Sequence, residues 1–431
     1  MTPAVDEAVL RELRRRARAR ESLHTYALSI DIPTVPFEAP CPDEELLGPA
    51  ELLMEKHHAV MLSAIQRCVT KPGGYGRLML MLPPGTAKSL YTDVVMPTWY
   101  MAKFPGSRII LASYGDKIAE RQSRRCHQII EQQKYRDLWI DAPTLMRDAA
   151  GDWNLSNKSE MLAMSLTGGM TGNRANGLIV DDPVKGREQA DSELERQTTK
   201  DAYSDDAQSR LLPGAWIIMV MTRWHELDLM GSILPDDYDG RSGIVRCKDG
   251  MDWEVLNIPA KCERNDDPLG RKPGEYLWSS FYGENHWKMY EEAAGPEAAR
   301  RWASLYQQRP SPQGAGRFNE SMFDFYDSDE LPPLEQLTFV GAGDYAVTSG
   351  KNDFTELGVF GVDTRGDLWE VDWWSKQCDT GESTEKTLDL IKRWKIPMWF
   401  NEGGVIDKAM RPLFNRRQRE RRVYCDFRSV P

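Results

Sequence analysis

Cysteine is sparse and unpatterned in this chain. Seven occur (Cys41, Cys68, Cys126, Cys247, Cys262, Cys378 and Cys425), and no two stand at the CxxC spacing of a zinc ribbon. An odd, scattered set argues against a disulfide framework and for a reducing compartment. Long apolar runs are missing too. The longest, around Trp216 to Met221, is strand-length, against the roughly 18 residues a membrane helix needs. The opening MTPAVDEAVLRELRRRARAR holds no apolar core of a signal peptide. A soluble, intracellular protein with no membrane segment is expected. Excess positive charge is also absent. A net charge of −11 excludes a polycation that coats nucleic acid, yet leaves room for a DNA enzyme with a local basic track. Internal repeats and low-complexity tracts are lacking.

What is present is ordinary globular material. The chain has 431 residues, 41% hydrophobic and 28% charged, which excludes a disordered or fibrous chain. At roughly 100–200 residues per domain, that length predicts two to four domains. Residues 1–50 read as an N-terminal helix and connector. Asp6 to about Leu23 has helical spacing, with Leu10 and Leu13 on one face, and Ile32 to Ala50 is rich in proline and acid. The run RRRARAR reads first as a solvated helix face. From about Glu51, short apolar runs alternate with amphipathic stretches. Arg77–Leu82, Arg108–Tyr114, Leu178–Asp182, Trp216–Thr222 and Val255–Pro259 are apolar almost throughout. Strands buried on both faces of a parallel sheet look like this. Helical patterns such as Asp116–Gln132 and Ser192–Ser209 lie between them. An α/β domain with a mainly parallel sheet is predicted over 51–310. Residues 311–335, rich in Pro, Gly, Ser and acids, read as a linker. A second α/β pattern fills 336–431. It comprises a strand Leu337–Ala346, a hairpin of Leu357–Val362 and Asp367–Trp374, a helix Thr384–Trp394, a strand Met398–Glu402, a helix Ile406–Phe414 and a strand Arg422–Phe427.

After the strand Leu78–Leu82 comes Pro83-Pro84-Gly85-Thr86-Ala87-Lys88-Ser89, then a helix. The phosphate-loop pattern GxxxxGK[ST] would place Leu82 and Ala87 at its two glycines, so the strict pattern is absent. The physics survives. A strand-to-helix turn bent at Gly85 can aim backbone N–H groups at phosphate oxygens. Lys88 would reach the β- and γ-phosphates, and Ser89 would hold Mg²⁺. The competing reading is an ordinary βα turn with an exposed lysine. A second motif, Gly177-Leu178-Ile179-Val180-Asp181-Asp182-Pro183, ends an apolar strand in two acids, where ligands bind in open α/β sheets. Asp181 fits the Mg²⁺ role and Asp182 the carboxylate that polarises the attacking water. Two strand-ending motifs roughly 90 residues apart favour nucleoside triphosphate hydrolysis. A third strand ends in Met221-Thr222-Arg223-Trp224-His225. Thr222 can sense the γ-phosphate, and Arg223 can report on the same charge. His225, with no second ligand spaced to join it, reads as structural or gating.

In order, LPPGTAKS, ASYGDKIAERQSRR, LTGGMTGNRANGLIVDDPVK, MTRWHELDLMGSIL and SLYQQRPSPQGAGRF resemble the motifs of tailed-bacteriophage large terminase subunits, which are DNA-packaging motors. The likeness is strong over roughly 50–315 and weaker over 336–427. It implies an ASCE P-loop ATPase domain followed by an RNase H-like nuclease domain. It implies ATP-driven translocation of double-stranded DNA into a procapsid, and metal-dependent endonuclease cutting of concatemers. ATP and Mg²⁺ are the implied cofactors, with Mn²⁺ an option at the nuclease. The implied partners are double-stranded DNA, the portal protein and procapsid, and the small terminase subunit. The resemblance also implies a homo-oligomeric ring on the portal, a monomer when free, and the host bacterial cytoplasm. Carried over by position, Pro84, Gly85, Thr86, Ala87, Lys88 and Ser89 form the phosphate loop. Asp181 and Asp182 form the second motif, where the family usually has Asp-Glu, and Thr222 falls in the coupling motif. Arg124 matches an arginine the family tends to keep; it is a finger for the same or the next subunit, or a surface arginine. His57-His58 matches the segment that packs near the adenine, although packing alone accounts for either ring.

An RNase H-like nuclease needs three or four carboxylates around two Mg²⁺ about 3.5–4 Å apart. The resemblance supplies Asp344, ending the first strand of the second pattern, and Glu402, ending the fourth; these strands adjoin in that fold. Gly341 and Gly343 beside Asp344 read as room for a DNA backbone. The family's third acid lies on a helix after the fifth strand, and this sequence ends at Pro431. A C-terminally truncated nuclease, weak or inactive in cutting, is therefore expected. Asp353, Asp407 and Asp426 are substitutes without motif support. Arg411, Arg416, Arg417, Arg419, Arg421 and Arg422 read either as a phosphate track or as a charged surface. Two other readings stay open. A superfamily 2-like DNA-dependent ATPase or helicase would need a second RecA-like domain. A portal-binding scaffold without catalysis would show no ATP hydrolysis that Lys88 controls.

Overall fold

The apolar runs of the sequence become the middle of a nine-stranded sheet in the computed structural model of the chain. The structure describes residues 3–33, 47–52, 54–170, 172–310, 323–327, 329–346, 354–402 and 405–430, with the side chains of 3–6, 148, 296, 402 and 405–409 outside that description. Contacts divide the chain into two units, Met1–Asn319 and Glu320–Pro431.

In the first unit, β1 (Asp31–Pro33) and β2 (Leu47–Pro49) pair as a short antiparallel ribbon. The main sheet is built from β3 (Arg77–Met81), β4 (Arg108–Ser113), β5 (Leu145–Asp148), β6 (Asp152–Leu155), β7 (Glu160–Ser165), β8 (Ala175–Asp181), β9 (Leu211–Met221), β10 (Gly243–Arg246) and β11 (Asp252–Asn257). Its order is β10-β11-β3-β9-β8-β4-β7-β6-β5. The stretch from β11 to β7 is parallel, and the two edges are antiparallel. The period of two along each strand splits its side chains between two cores. Leu78, Leu80, Ile218 and Val220 face one core, while Met79, Met81, Ile217 and Met219 face the other. Each such side chain stabilises the fold by roughly 1.5–3 kcal/mol. Both faces are covered, so β3, β8 and β9 carry no polar alternation.

Within residues 3–33 the N-terminal segment packs on the first unit. Ala19, Leu23, Tyr26, Ile30 and Ile32 are buried in the same core as β3. The Trp99 indole N–H donates to the Ala19 carbonyl at 3.2 Å, and the Tyr26 and Thr98 hydroxyls meet at 2.8 Å. The helical apolar spacing runs on past Leu23, which is what carries this segment into the core. Only the outer part of the helix Pro3–Glu21 shows an apolar edge, with Val9, Leu10 and Leu13 exposed. Antiparallel β5 to β7 were not expected, because short strands with Asp152, Asn154 and Glu160 show little apolar pattern.

The second unit holds β12 (Thr338–Asp344), β13 (Thr355–Val362), β14 (Leu368–Lys376), β15 (Met398–Glu402) and β16 (Asp426–Val430), in the order β14-β13-β12-β15-β16. β12, β13 and β14 are antiparallel, while β15 and β16 run parallel to β12. The helix Thr380–Trp394 begins with the Asp379 side chain accepting the Glu382 N–H at 2.8 Å. Its Leu388 and Ile391 pack with Leu357, Val359 and Trp399. The last helix runs over Val405–Arg421, well past Phe414, and the last strand starts at Asp426 rather than Arg422. Arg416 and Arg417 lie one turn from Glu420, and such pairs favour continued helix where apolar spacing fades.

Candidate functional site

Three neighbouring strand ends build the site. β3 runs into Leu82 and the turn Pro83–Ala87; β9 is its neighbour, and β8 lies beyond β9. The Thr86 hydroxyl closes the turn on the Pro83 carbonyl at 2.8 Å. Gly85 sits at φ +78 and Ala87 at φ 60, both left-handed. Ala87 thus holds a conformation that favours glycine, which is the residue the GxxxxGK[ST] pattern has at that position. Leu82, at the other glycine position, is simply buried strand end. Among the described residues the N–H groups of Gly85, Thr86 and Ala87 meet no acceptor. The first N–H groups of the following helix are open by helix geometry. Together they make a concave array of donors suited to an anion.

The charged side chains meet beneath this array. Lys88 is buried; its ammonium donates to the Thr222 hydroxyl at 2.8 Å and lies 3.4 Å from the Asp182 carboxylate. Asp182 in turn accepts the Thr222 N–H at 2.9 Å, and its own N–H donates to the Val220 carbonyl. Its backbone is left-handed, at φ 37, which an Asp tolerates better than most residues. The Ser89 hydroxyl donates to Asp181 at 2.9 Å. The structure therefore brings together Lys88, Ser89, Asp181, Asp182 and Thr222, with Pro84, Gly85, Thr86 and Ala87 above them. Hydroxyl and carboxylate oxygens are the donors a hard Mg²⁺ takes, so this set fits the ion. Among the described residues no cluster of three His, Cys, Asp or Glu side chains has a metal-holding arrangement.

Asp93 was not singled out from the sequence. Leu90–Val95 forms a π-helical turn that buries Asp93 completely, with its carboxyl beside that of Asp181. Burial, then the charge of Asp181, pushes the Asp93 carboxyl well above the usual range. Burial, then Asp182, raises Asp181 to about 6. Of the two neighbouring carboxyls, Asp93 is the one that burial holds more strongly in its neutral form. The available signal was an acid inside the apolar stretch Leu90–Val95, one helical turn after Ser89.

An aromatic cluster lies against the loop. His57 and His58 are buried, with ring centroids 3.8 Å apart, and Trp278 packs on both, at 5.2 and 4.7 Å. Burial, reinforced by His58, lowers the His57 pKa to about 2, so the ring stays neutral. The helix Ser279–Glu291 supplies Tyr282, whose hydroxyl donates to the Gly85 carbonyl at 2.8 Å.

Other expectations fare differently. The Arg223 guanidinium is turned away from a phosphate role: it forms a buried pair with Asp228 at 2.8 Å. A buried guanidinium needs a carboxylate close by, and Asp228 is that group. His225 accepts the Leu227 N–H at 3.0 Å through Nδ1, a structural contact. Arg124 is 55% exposed and lies 3.8 Å from Glu120 on its own helix.

In the second unit, Asp344 is an exposed strand end. Gly343 pairs with Asn401, which puts Asp344 and Glu402 at neighbouring ends of β12 and β15. Across β13 the partner of Asp344 is Glu356, which accepts the Trp373 indole N–H at 2.8 Å and the Ser375 hydroxyl at 2.6 Å. Asp426 pairs with Met398, four positions from Glu402, or about 13 Å along the strand, and so cannot serve as third ligand there. Asp353 lies outside the described residues, as does the Asp407 side chain. The glycines do not make room for DNA. A Cβ on Gly341 would meet the Trp399 ring at 2.1 Å, and one on Gly343 would meet Tyr345 at 2.8 Å, so internal aromatics fill both places. The basic cluster is largely paired within the unit: Arg416 with Glu420, Arg417 with Glu385 and Glu420, and Arg421 with Glu385 and Asp389.

No family model matches the chain. No curated protein matches it either. Among solved structures the chain resembles phage large terminases. One is the large terminase of the thermophilic bacteriophage D6E, at 13% identity and a TM-score of 0.36, covering 85% of this chain and 81% of that one. The same protein in complex with ADP matches at 14% identity and a TM-score of 0.33, covering 85% and 81%. A mutant ATPase domain of the Thermus phage P74-26 large terminase matches at 15% identity and a TM-score of 0.34, covering 61% of this chain and 97% of that domain. Among the described residues no helix is long and apolar enough to cross a membrane.

Proposed function

We propose that this chain is the large subunit of a tailed-phage DNA-packaging terminase, an ASCE-type ATPase that drives double-stranded DNA into a procapsid and carries an RNase H-like nuclease. The ordered motifs motivate the family. The observation that carries the ATPase is Lys88, bonded to Thr222 and within 3.4 Å of Asp182 beneath an open array of backbone donors. The placement of β9 between β3 and β8 supports the ASCE arrangement.

In this reading the backbone array and Lys88 hold the triphosphate. Mg²⁺ would be held by Ser89 and, through water, by Asp181; when bound it neutralises charge on the β- and γ-oxygens. Asp182 accepts a proton from the attacking water. Lys88 now neutralises Asp182; once the γ-phosphate takes up Lys88, that carboxylate is free to act as base. Thr222, which touches both, senses the exchange. Arg124, exposed on its helix, is proposed to act on nucleotide in the next subunit of a ring on the portal. In the second unit Asp344 and Glu402 are proposed to hold Mg²⁺ or Mn²⁺ for DNA cutting. The small terminase subunit and the portal are the proposed protein partners, and the host bacterial cytoplasm the proposed place. A mixed sheet with an antiparallel β12-β13-β14 block counts against a second RecA-like domain, and so against a helicase.

The test is Mg²⁺-dependent ATP hydrolysis by the full chain with linear double-stranded DNA. Lys88→Ala is expected to lower turnover by at least about 100-fold, as loss of a preorganised charge at developing negative charge does. An unchanged rate would remove the site from Lys88.

A further inference from the structure

The peptide between Gly85 and Thr86 is the natural flip point of the phosphate loop. Gly85 has φ +78 and no side chain, so carbonyl and N–H can exchange directions at low cost. In a trans peptide the two groups point opposite ways. One orientation offers the Thr86 N–H to an anion; the other turns a carbonyl dipole into the same space.

The structure holds one orientation from outside the loop. The Tyr282 hydroxyl donates to the Gly85 carbonyl at 2.8 Å, across 197 residues of chain. The fit is close, since a Cβ on Gly85 would stand 2.2 Å from that hydroxyl. Tyr282 is itself held. Its ring stacks on His286 at 4.4 Å and 20°, and meets Trp287 at 5.0 Å and Trp278 at 5.6 Å. Two unusual backbone positions aim it: Trp278 is left-handed, at φ 52, and Gly283 breaks the helix at φ 70, ψ 162. A non-glycine residue held left-handed beside a site is a sign of an over-determined local structure.

We infer that Tyr282 is a positioning residue of the phosphate site: its hydroxyl fixes the Gly85 carbonyl outward and so keeps the Thr86 N–H in the donor array. The ligand it serves is the phosphate chain of a nucleoside di- or triphosphate, which rests on the nucleotide reading above. Tyr282 touches no reacting atom. Its loss raises the concentration of nucleotide needed and leaves the chemistry at saturation nearly as it was.

Tyr282→Phe removes the hydroxyl and keeps the stacking ring. In the full chain the Kd for MgADP and the KM for MgATP are expected to rise about three- to tenfold, the range of one hydrogen bond, with kcat much less affected. An equal fall in kcat with KM unchanged, or tighter binding, overturns the inference. A second readout does not depend on nucleotide. Gly85-Thr86 is the only Gly-Thr pair in the sequence, so carbonyl-¹³C glycine with ¹⁵N threonine labels this peptide alone. The single carbonyl–amide correlation is expected to move upfield in its carbonyl dimension in Tyr282→Phe, as a carbonyl losing a donor does. An unmoved peak sinks the inference even if nucleotide binds. A moved peak in a chain that binds no nucleotide sinks the ATPase reading and leaves the latch standing.

Discussion

The phosphate loop of the first unit and the acid strand ends of the second solve the same problem in opposite ways. At the loop, charge is buried and already paired: Lys88, Asp181 and Thr222 are nearly inaccessible, and each has a polar partner within the site. At β12 the acid Asp344 is exposed. A buried charge must have partners, because leaving it unpaired costs several kcal/mol. An exposed acid makes no such demand, so its geometry says less about its use. The first region is therefore the more constrained of the two, with its buried groups fixed against one another.

Breaking the two regions separately should expose this contrast. The largest effect is expected from Asp182→Asn. The amide oxygen can still accept the Thr222 N–H, so the fold is kept while the base is lost. Turnover of ATP should fall about 10²–10⁴-fold with nucleotide binding retained; retained turnover would remove Asp182 from the chemistry. Asp344→Ala should abolish any Mg²⁺- or Mn²⁺-dependent DNA cleavage and leave ATP hydrolysis intact. Cleavage that survives the change would place the nuclease elsewhere.

How far the sequence carried each region follows from the same contrast. The strand–turn–helix of the loop was legible without the pattern's glycines, because strand, turn, Lys88 and Ser89 keep their order, and the acids at the end of β8 stand where ligands bind in open α/β sheets. Its supports were not. Tyr282 reaches Gly85 over 197 residues, a contact no local pattern encodes. Asp93 was visible in principle, as an acid inside an apolar turn. Arg223 looked free in sequence but has Asp228 five residues on as its buried partner. In the second unit the strands were legible from apolar runs, and the neighbouring ends of β12 and β15 from the resemblance alone. Gly341 and Gly343 misled, because a missing Cβ invites whatever is near, and here that is Trp399 and Tyr345. The last strand was misplaced because Arg422–Phe427 alternates weakly while the helix before it is extended by charge pairs.

Two smaller effects sharpen the account of the buried site. His57 is kept neutral in the fold, with a pKa near 2 against 6.5 in an unfolded chain. As pH falls below about 6.5 the unfolded chain takes up the proton first, so this group's contribution is complete above that pH and is lost below it. Denaturant unfolding at pH 7 and pH 5 should show a stability loss about 2 kcal/mol smaller in His57→Gln than in the parent. Equal losses would mean that His57 takes up its proton in the fold. Ala87→Gly relieves a left-handed alanine and should raise stability by up to about 1 kcal/mol, with ATP hydrolysis retained. A destabilised variant would show that the loop is not strained at φ 60.

The central claim is that Lys88 and Asp182 serve one nucleotide at one site, Lys88 by holding it and Asp182 by cutting it. The direct measurement is MgATP affinity beside turnover in the parent chain, Lys88→Ala and Asp182→Asn. The account predicts that Lys88→Ala loses both quantities and that Asp182→Asn loses turnover alone. Parent-like affinity and turnover in Lys88→Ala would contradict it.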